Sequence, residues 1–180
     1  MTRLDYDELK NILLLMDDVS TDLNRLAVES SKDDELLEKI VAALDDSDFR
    51  VRRGAAKVLD RVVTRYEPDL FEPYVEKLFQ KLSDKKKPVR NEVSIVLLKI
   101  SRKKPELVAD YAEQYLSFIN SKNGYERHDA IEFLINVKDL RPDLVEQYLD
   151  KVEQLAKNDS NPLVRGIAEK ALQLFKSKSK

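Results

Sequence analysis

Four arginines constrain this chain more than any other feature. Arg52, Arg90, Arg127 and Arg165 recur at intervals of 38, 37 and 38 residues. Each lies within a longer similarity: DFRVRRGAAKVL from Asp48, KKPVRNEVSIVL from Lys86, NGYERHDAIEFL from Asn123 and NPLVRGIAEKAL from Asn161 align without a gap. The apolar residues keep the same register. Val51, Ala55, Val58 and Leu59 correspond to Val89, Val93, Val96 and Leu97, to Ala130, Phe133 and Leu134, and to Val164, Ala168, Ala171 and Leu172. Apolar positions at i, i+4, i+7 and i+8 form one stripe of a helix. A period near 38 residues points to a tandem array of small helical units, none able to bury its apolar face alone.

Local signals agree with this period. Asp48, Asn123 and Asn161 stand where a side chain can cap a helix N-terminus, Lys86 being the exception, while Pro162 and Pro88 fit a first turn. A second motif alternates with the first: Pro68-Asp-Leu-Phe71, Pro105-Glu-Leu-Val108 and Pro142-Asp-Leu-Val145, 37 residues apart. Each is expected to open another helical stretch, carrying Tyr74, Val75, Leu78, Phe79 and Leu82, then Tyr111, Tyr115, Leu116 and Ile119, then Tyr148, Leu149, Val152 and Leu155. Leu36, Leu37, Ile40, Val41 and Leu44 keep that stripe without the proline. The unit is therefore helix A, a short polar turn, helix B and a Pro-marked link. In the first 28 residues Met16-Asp17-Asp18 resembles Leu44-Asp45-Asp46, which suggests a shortened, acidic first unit.

Composition narrows the function. The chain has 180 residues, no cysteine, one histidine and only 3 glycines. Disulfides and thiolate metal sites are excluded, and His128 alone cannot build a multi-histidine centre. There is no glycine-rich phosphate loop and no visible constellation for acid/base or nucleophilic catalysis, so an enzyme, a cofactor and a metal are not expected. No run reaches the roughly 20 apolar residues of a membrane span, and the start is too acidic for a secretory signal. The expectation is a soluble, cytoplasmic protein.

The net charge of −2 hides a strong polarity. Residues 1 to 48 carry −9, residues 49 to 104 carry +9 and residues 105 to 180 carry −2. Such a distribution steers charged partners.

The pattern Asp…Val-Arg-x-x-Ala-x-x-x-Leu on helix B, with its Pro-Asp/Glu-Leu link, resembles HEAT repeats over residues 33 to 180 and more loosely over 1 to 32. The resemblance implies an all-α solenoid, an α-α superhelix of about four helical hairpins plus a shortened capping unit. The expected organisation is one domain over 1–180, with a cap at 1–32, repeats at 33–66, 67–104, 105–141 and 142–176, and a frayed tail at 177–180. It also implies A helices on a convex surface, B helices on a concave one, and a role as an interaction scaffold. Arg52, Arg90, Arg127 and Arg165 would then form an internal ladder with the preceding turns, Asp46 and Asp84 being the acidic candidates and Ser121 and Asn158 continuing the column.

Arg50, Arg53, Lys57 and Arg61 lie off the apolar stripe, and the last three recur every four residues on what should be one exposed face. Asn91, Ile95 and Lys99 continue that face, followed by His128. Two readings stand: a solvated face, or a binding face with Ile95, Leu98, Ile135 and Ile167 as an apolar centre. The preferred function is a non-enzymatic scaffold or adaptor that binds an acidic, helical or extended segment of another protein on the concave B-helix face. The alternative is nucleic-acid backbone binding by the basic middle repeats, against which stands the absence of tryptophan and of aromatics among Arg53, Lys57 and Arg61. Weak head-to-tail self-association of an otherwise monomeric chain is a third possibility.

Overall fold

The protein, described as a computed structural model over residues 4–15 and 21–176, is an all-α HEAT-like solenoid of paired helices, with no strand among the described residues. The resemblance of Met16-Asp17-Asp18 to a turn and the expected tail at 177–180 lie outside the described residues. The chain divides into two compact units, 1–99 and 100–180.

In the first unit, α1 (Tyr6–Leu14) and α2 (Thr21–Ser30) precede the hairpin of α3 (Asp34–Ala42) and α4 (Phe49–Arg65). Asp5 and Glu8 close a capping box on α1, and Asp33 caps α3 by accepting from the Leu36 N–H. Both α1 and α2 pack on α4. The approach is close because residue 54 is glycine: a Cβ there would stand 2.1 Å from the Leu13 carbonyl oxygen. Leu9, Leu13, Leu23 and Leu26 are fully buried, and Gly54 to Leu59 is buried without a break. α5 (Val75–Lys81) follows a 3-10 segment over Pro68–Tyr74, and α6 (Lys87–Lys103) begins the next B helix.

The second unit holds the end of α6, α7 (Ala112–Leu116) flanked by 3-10 turns, α8 (Gly124–Val137), α9 (Pro142–Asn158) and α10 (Pro162–Lys176). Tyr115 stacks on Phe133 with ring centroids 4.3 Å apart, and Phe118 meets Tyr115 edge-on at 5.8 Å. α8 and α9 both pack on α10.

The three Pro-Asp/Glu-Leu motifs do not act alike. Pro142 is the first residue of a regular 17-residue α-helix, as expected of a residue whose missing N–H costs nothing there. Pro68 and Pro105 open 3-10 turns instead, and in the first case Pro73 denies the segment an interior N–H, so α5 starts only after it. No described helix is long and apolar enough to cross a membrane.

Candidate protein-binding face

The turn before each B helix has one construction. Asp46, Asp84 and Asp159 each accept, through Oδ1, the backbone N–H two residues on, at 2.8 Å, and Ser121 Oγ does the same for Asn123 at 3.0 Å. Six residues after this position comes the repeated arginine. Its Nη1 donates to the carbonyl of the turn residue: Arg52 to Asp46 at 2.8 Å, Arg90 to Asp84 at 2.7 Å, Arg127 to Ser121 at 2.8 Å and Arg165 to Asp159 at 2.7 Å. Where the turn 32 residues ahead supplies a carboxylate, the other edge of the guanidinium grips it. Arg52 reaches Asp84 at 2.8 and 3.0 Å, and Arg127 reaches Asp159 at 2.7 Å through both nitrogens. Bidentate charge-assisted pairs of this kind are among the stronger polar contacts.

The fourth turn position is thus Asp159 and not Asn158. Asn158 ends α9 and is exposed, whereas Asp159 leaves the helix with φ −63° and ψ 136° and turns its carboxylate inward. The Arg127 guanidinium holds the Asp159 carboxyl below its ordinary range against the opposing effect of burial. Burial pushes Asp84 up, but the bonds from Arg52 and the Lys86 N–H outweigh it and its pKa is lowered. In the first turn the arginine's place is taken by other donors: Asp46 accepts from the Tyr6 hydroxyl at 2.8 Å and pairs with Lys10 at 3.1 Å. Partial burial and the Asp46 carboxylate push Tyr6 up to about 12.

The basic ridge is less open than its spacing suggests. Lys57, expected on an exposed face, is only 4% exposed, on a helix against which both α1 and α2 pack. Arg53 is partly exposed and pairs with Glu92 at 3.2 Å. Arg61 donates to Asn24 Oδ1 and to the Lys57 carbonyl, both at 3.0 Å. Lys99 bonds Asp60 at 2.5 Å and Thr64 Oγ1 at 2.8 Å. Arg50 is exposed and folds back on Asp48, its own N-cap, at 2.6 Å. Asn91 is exposed, Ile95 is 39% exposed, and Leu98 belongs to the core. Ile135 and Ile167 are partly exposed.

A cluster of open cations in the first unit lies at the start of α6. Lys85, Lys86 and Lys87 are exposed, and the Lys86 ammonium stands 5.4 Å from the centroid of the Phe49 ring, beside Arg50 in sequence. In the second unit His128 is partly exposed and its Nδ1 lies 3.0 Å from Asp129 Oδ1. Glu132 is near both, but its two oxygens accept from Arg102 at 2.7 and 2.8 Å, so a guanidinium already neutralises the carboxylate that a metal would need.

Asp60, Glu92 and Asp159 are ion-pair partners that the repeat alignment does not single out. The first two have a signal: Arg53–Glu92 and Asp60–Lys99 are opposite charges 39 residues apart, one repeat plus one residue.

Comparison with solved structures gives the same architecture. The archaeal HEAT-like repeats protein from Thermococcus onnurineus NA1 superposes with a TM-score of 0.70 at 17% identity, covering 98% of this chain and 82% of that one. A designed armadillo repeat protein in complex with the peptide (KR)4 gives 0.66 at 19% identity, covering 94% and 82%. A computationally designed armadillo repeat protein for modular peptide recognition gives 0.66 at 17%, with the same coverage. The fold is thus one that repeat proteins designed for peptide recognition share. No curated protein matches the chain. Residues 30–143, well over half of the sequence, match the family described as Cnd1, non-SMC mitotic condensation complex subunit 1, and the chain belongs to that family.

Proposed function

We propose that this chain is a non-enzymatic interaction module that binds an acidic, helical or extended segment of another protein across the B-helix face of its first unit. The observation that carries the reading is the pairing of an exposed Ile95 and Asn91 with the partly exposed cations Arg53 and Lys99, in a stretch of charge +9. Ile95 offers the apolar contact, Asn91 a polar one, and Arg53 and Lys99 the attraction. Each cation keeps a carboxylate partner, so the face is pre-organised and its side chains lose little freedom on binding. Lys57 and Arg61 add to the field from beneath, and Arg50 with Lys85 to Lys87 extends it along the helix starts.

Two comparisons support this reading. Armadillo repeat proteins of the same fold were designed for modular peptide recognition, and one is in complex with a basic peptide, (KR)4. Here the middle segment carries +9, which favours an acidic ligand. The family's name refers to a subunit of a complex, which fits a role in assembly with other proteins.

Because Lys57 is buried, charge reversal there would test folding before binding. The direct variant is Asn91→Glu with Ile95→Glu, both on the surface. Anisotropy titrations with labelled (DE)4 and (KR)4 peptides test the reading. The acidic peptide binds and the basic one does not, and the double variant weakens binding about tenfold or more with its melting temperature unchanged. Equal binding of the two peptides, or a variant that binds (DE)4 normally, contradicts it.

A further inference from the structure

One edge of the first unit, where α1, α4 and α6 start, carries its charges in order. At the start of α1, Asp5, Asp7 and Glu8 are exposed. Asp5 and Glu8 accept each other's backbone N–H groups at 2.8 and 3.0 Å, and none of the three acids meets a cation among the described residues. The Tyr6 hydroxyl ties this end to the next turn by donating to Asp46, whose Oδ1 accepts the Asp48 N–H. At the start of α4, Arg50 and Asp48 pair at 2.6 Å and cancel. The start of α6 follows, with the Lys86 ammonium 5.4 Å from the centroid of the Phe49 ring. Lys85, Lys86 and Lys87 are exposed, and no carboxylate pairs with them among the described residues. The edge therefore runs from three open acids through a neutral pair to three open lysines.

The same strip carries apolar surface. Tyr6 is 40% exposed at the acidic end, Phe49 is partly exposed in the middle and Pro88 is exposed at the basic end. A partner of a single sign would satisfy one end and be repelled by the other. The surface that satisfies both is this same edge rotated by half a turn, because it then sets acid on base twice.

We infer that the edge is a contact between two copies of this chain, which pair antiparallel about a two-fold axis at the starts of α4. Asp5, Asp7 and Glu8 of each copy face Lys85, Lys86 and Lys87 of the other, and the Phe49 side chains lie nearest the axis. Such a contact uses one patch on both copies and closes at two, whereas a head-to-tail contact leaves one pole of each sign open and goes on growing. It uses none of Arg53, Asn91, Ile95 and Lys99, so it and the peptide-binding reading can each fail without the other.

Sedimentation equilibrium of the full chain without peptide tests the contact. The mass should rise with concentration from 20.9 kDa toward twice that value and stop there, and added salt should reverse the rise. Two variants alter one pole each. Lys85→Glu, Lys86→Glu and Lys87→Glu make the basic end acidic, and Asp5→Asn, Asp7→Lys and Glu8→Gln make the acidic end basic while asparagine and glutamine still cap α1. Each variant alone should dimerise at least tenfold more weakly, since like charges then meet at both ends. An equimolar mixture should dimerise again, because both ends are then matched. The mixture keeps the test independent of any loss in a single variant. A chain that stays monomeric at every concentration in low salt, a mass that grows past the dimer, variants that dimerise like the unaltered chain, or a mixture that stays monomeric overturns the proposal.

Discussion

Replacing Asp159 by asparagine tests the arginine ladder at its best-formed step. The side chains of Arg127 and Asp159 are 12% and 2% exposed and share two contacts of 2.7 Å. Asparagine keeps the acceptor for the Asn161 N–H and one acceptor for the guanidinium, but it removes the charge. Breaking a buried pair by deleting one charge costs about 3–5 kcal/mol, and the retained hydrogen bonds place Asp159→Asn near 3 kcal/mol. For a protein of this size that corresponds to a fall in melting temperature of roughly 6–12 °C. The control is Asn158→Ala, one residue earlier, on the exposed end of α9, with an expected cost of about 0.5 kcal/mol or less. Both are read by thermal unfolding followed by circular dichroism. Equal effects of the two substitutions would refute the ladder, since the difference between a buried paired carboxylate and an exposed amide is its whole content.

Three further outcomes are expected. Gly54→Ala drives a methyl to 2.1 Å from the Leu13 carbonyl and should cost about 2 kcal/mol or more, while Gly166→Ala, with no heavy atom within 4 Å of the new carbon, should stabilise α10 by about 0.5–1 kcal/mol; urea midpoints of the two variants should move in opposite directions. Tyr115→Ala removes a fully buried ring stacked on Phe133 and should cost about 3–5 kcal/mol by the same measurement. Asp84 and Asp159 bind their protons less readily folded than unfolded, so the stability they supply is complete above the ordinary carboxylate pKa of about 3.9 and is lost as the pH falls below it through their lowered folded values. A urea series at falling pH should show this acid limb, and Asp159→Asn should shallow it.

The fold was legible because its period is written in residues with fixed duties. A cap, an arginine and a helical apolar stripe recur together at Asp48, Asn123 and Asn161, with Glu126 the one polar break in the stripe, and a stacked helical array satisfies all three. The site was less legible, and for physical reasons. The choice between Asn158 and Asp159 depends on where α9 stops, which the amide and the acid do not announce. Lys57 keeps the four-residue spacing of an exposed ridge, yet it is buried on a helix that α1 approaches closely at Gly54, a packing the repeat period does not encode. The pairs Arg53–Glu92 and Asp60–Lys99 join neighbouring repeats one residue out of register, which a column alignment passes over.

The central claim is that the B-helix face of the first unit receives an acidic segment. The most direct measurement is the change in backbone amide chemical shifts of the isotope-labelled full chain during titration with the (DE)4 peptide. The account predicts shifts concentrated at Arg53, Asn91, Ile95 and Lys99 that weaken as salt shortens the reach of the charges. Shifts confined to α3 and α5, or none at an excess of peptide, would contradict it.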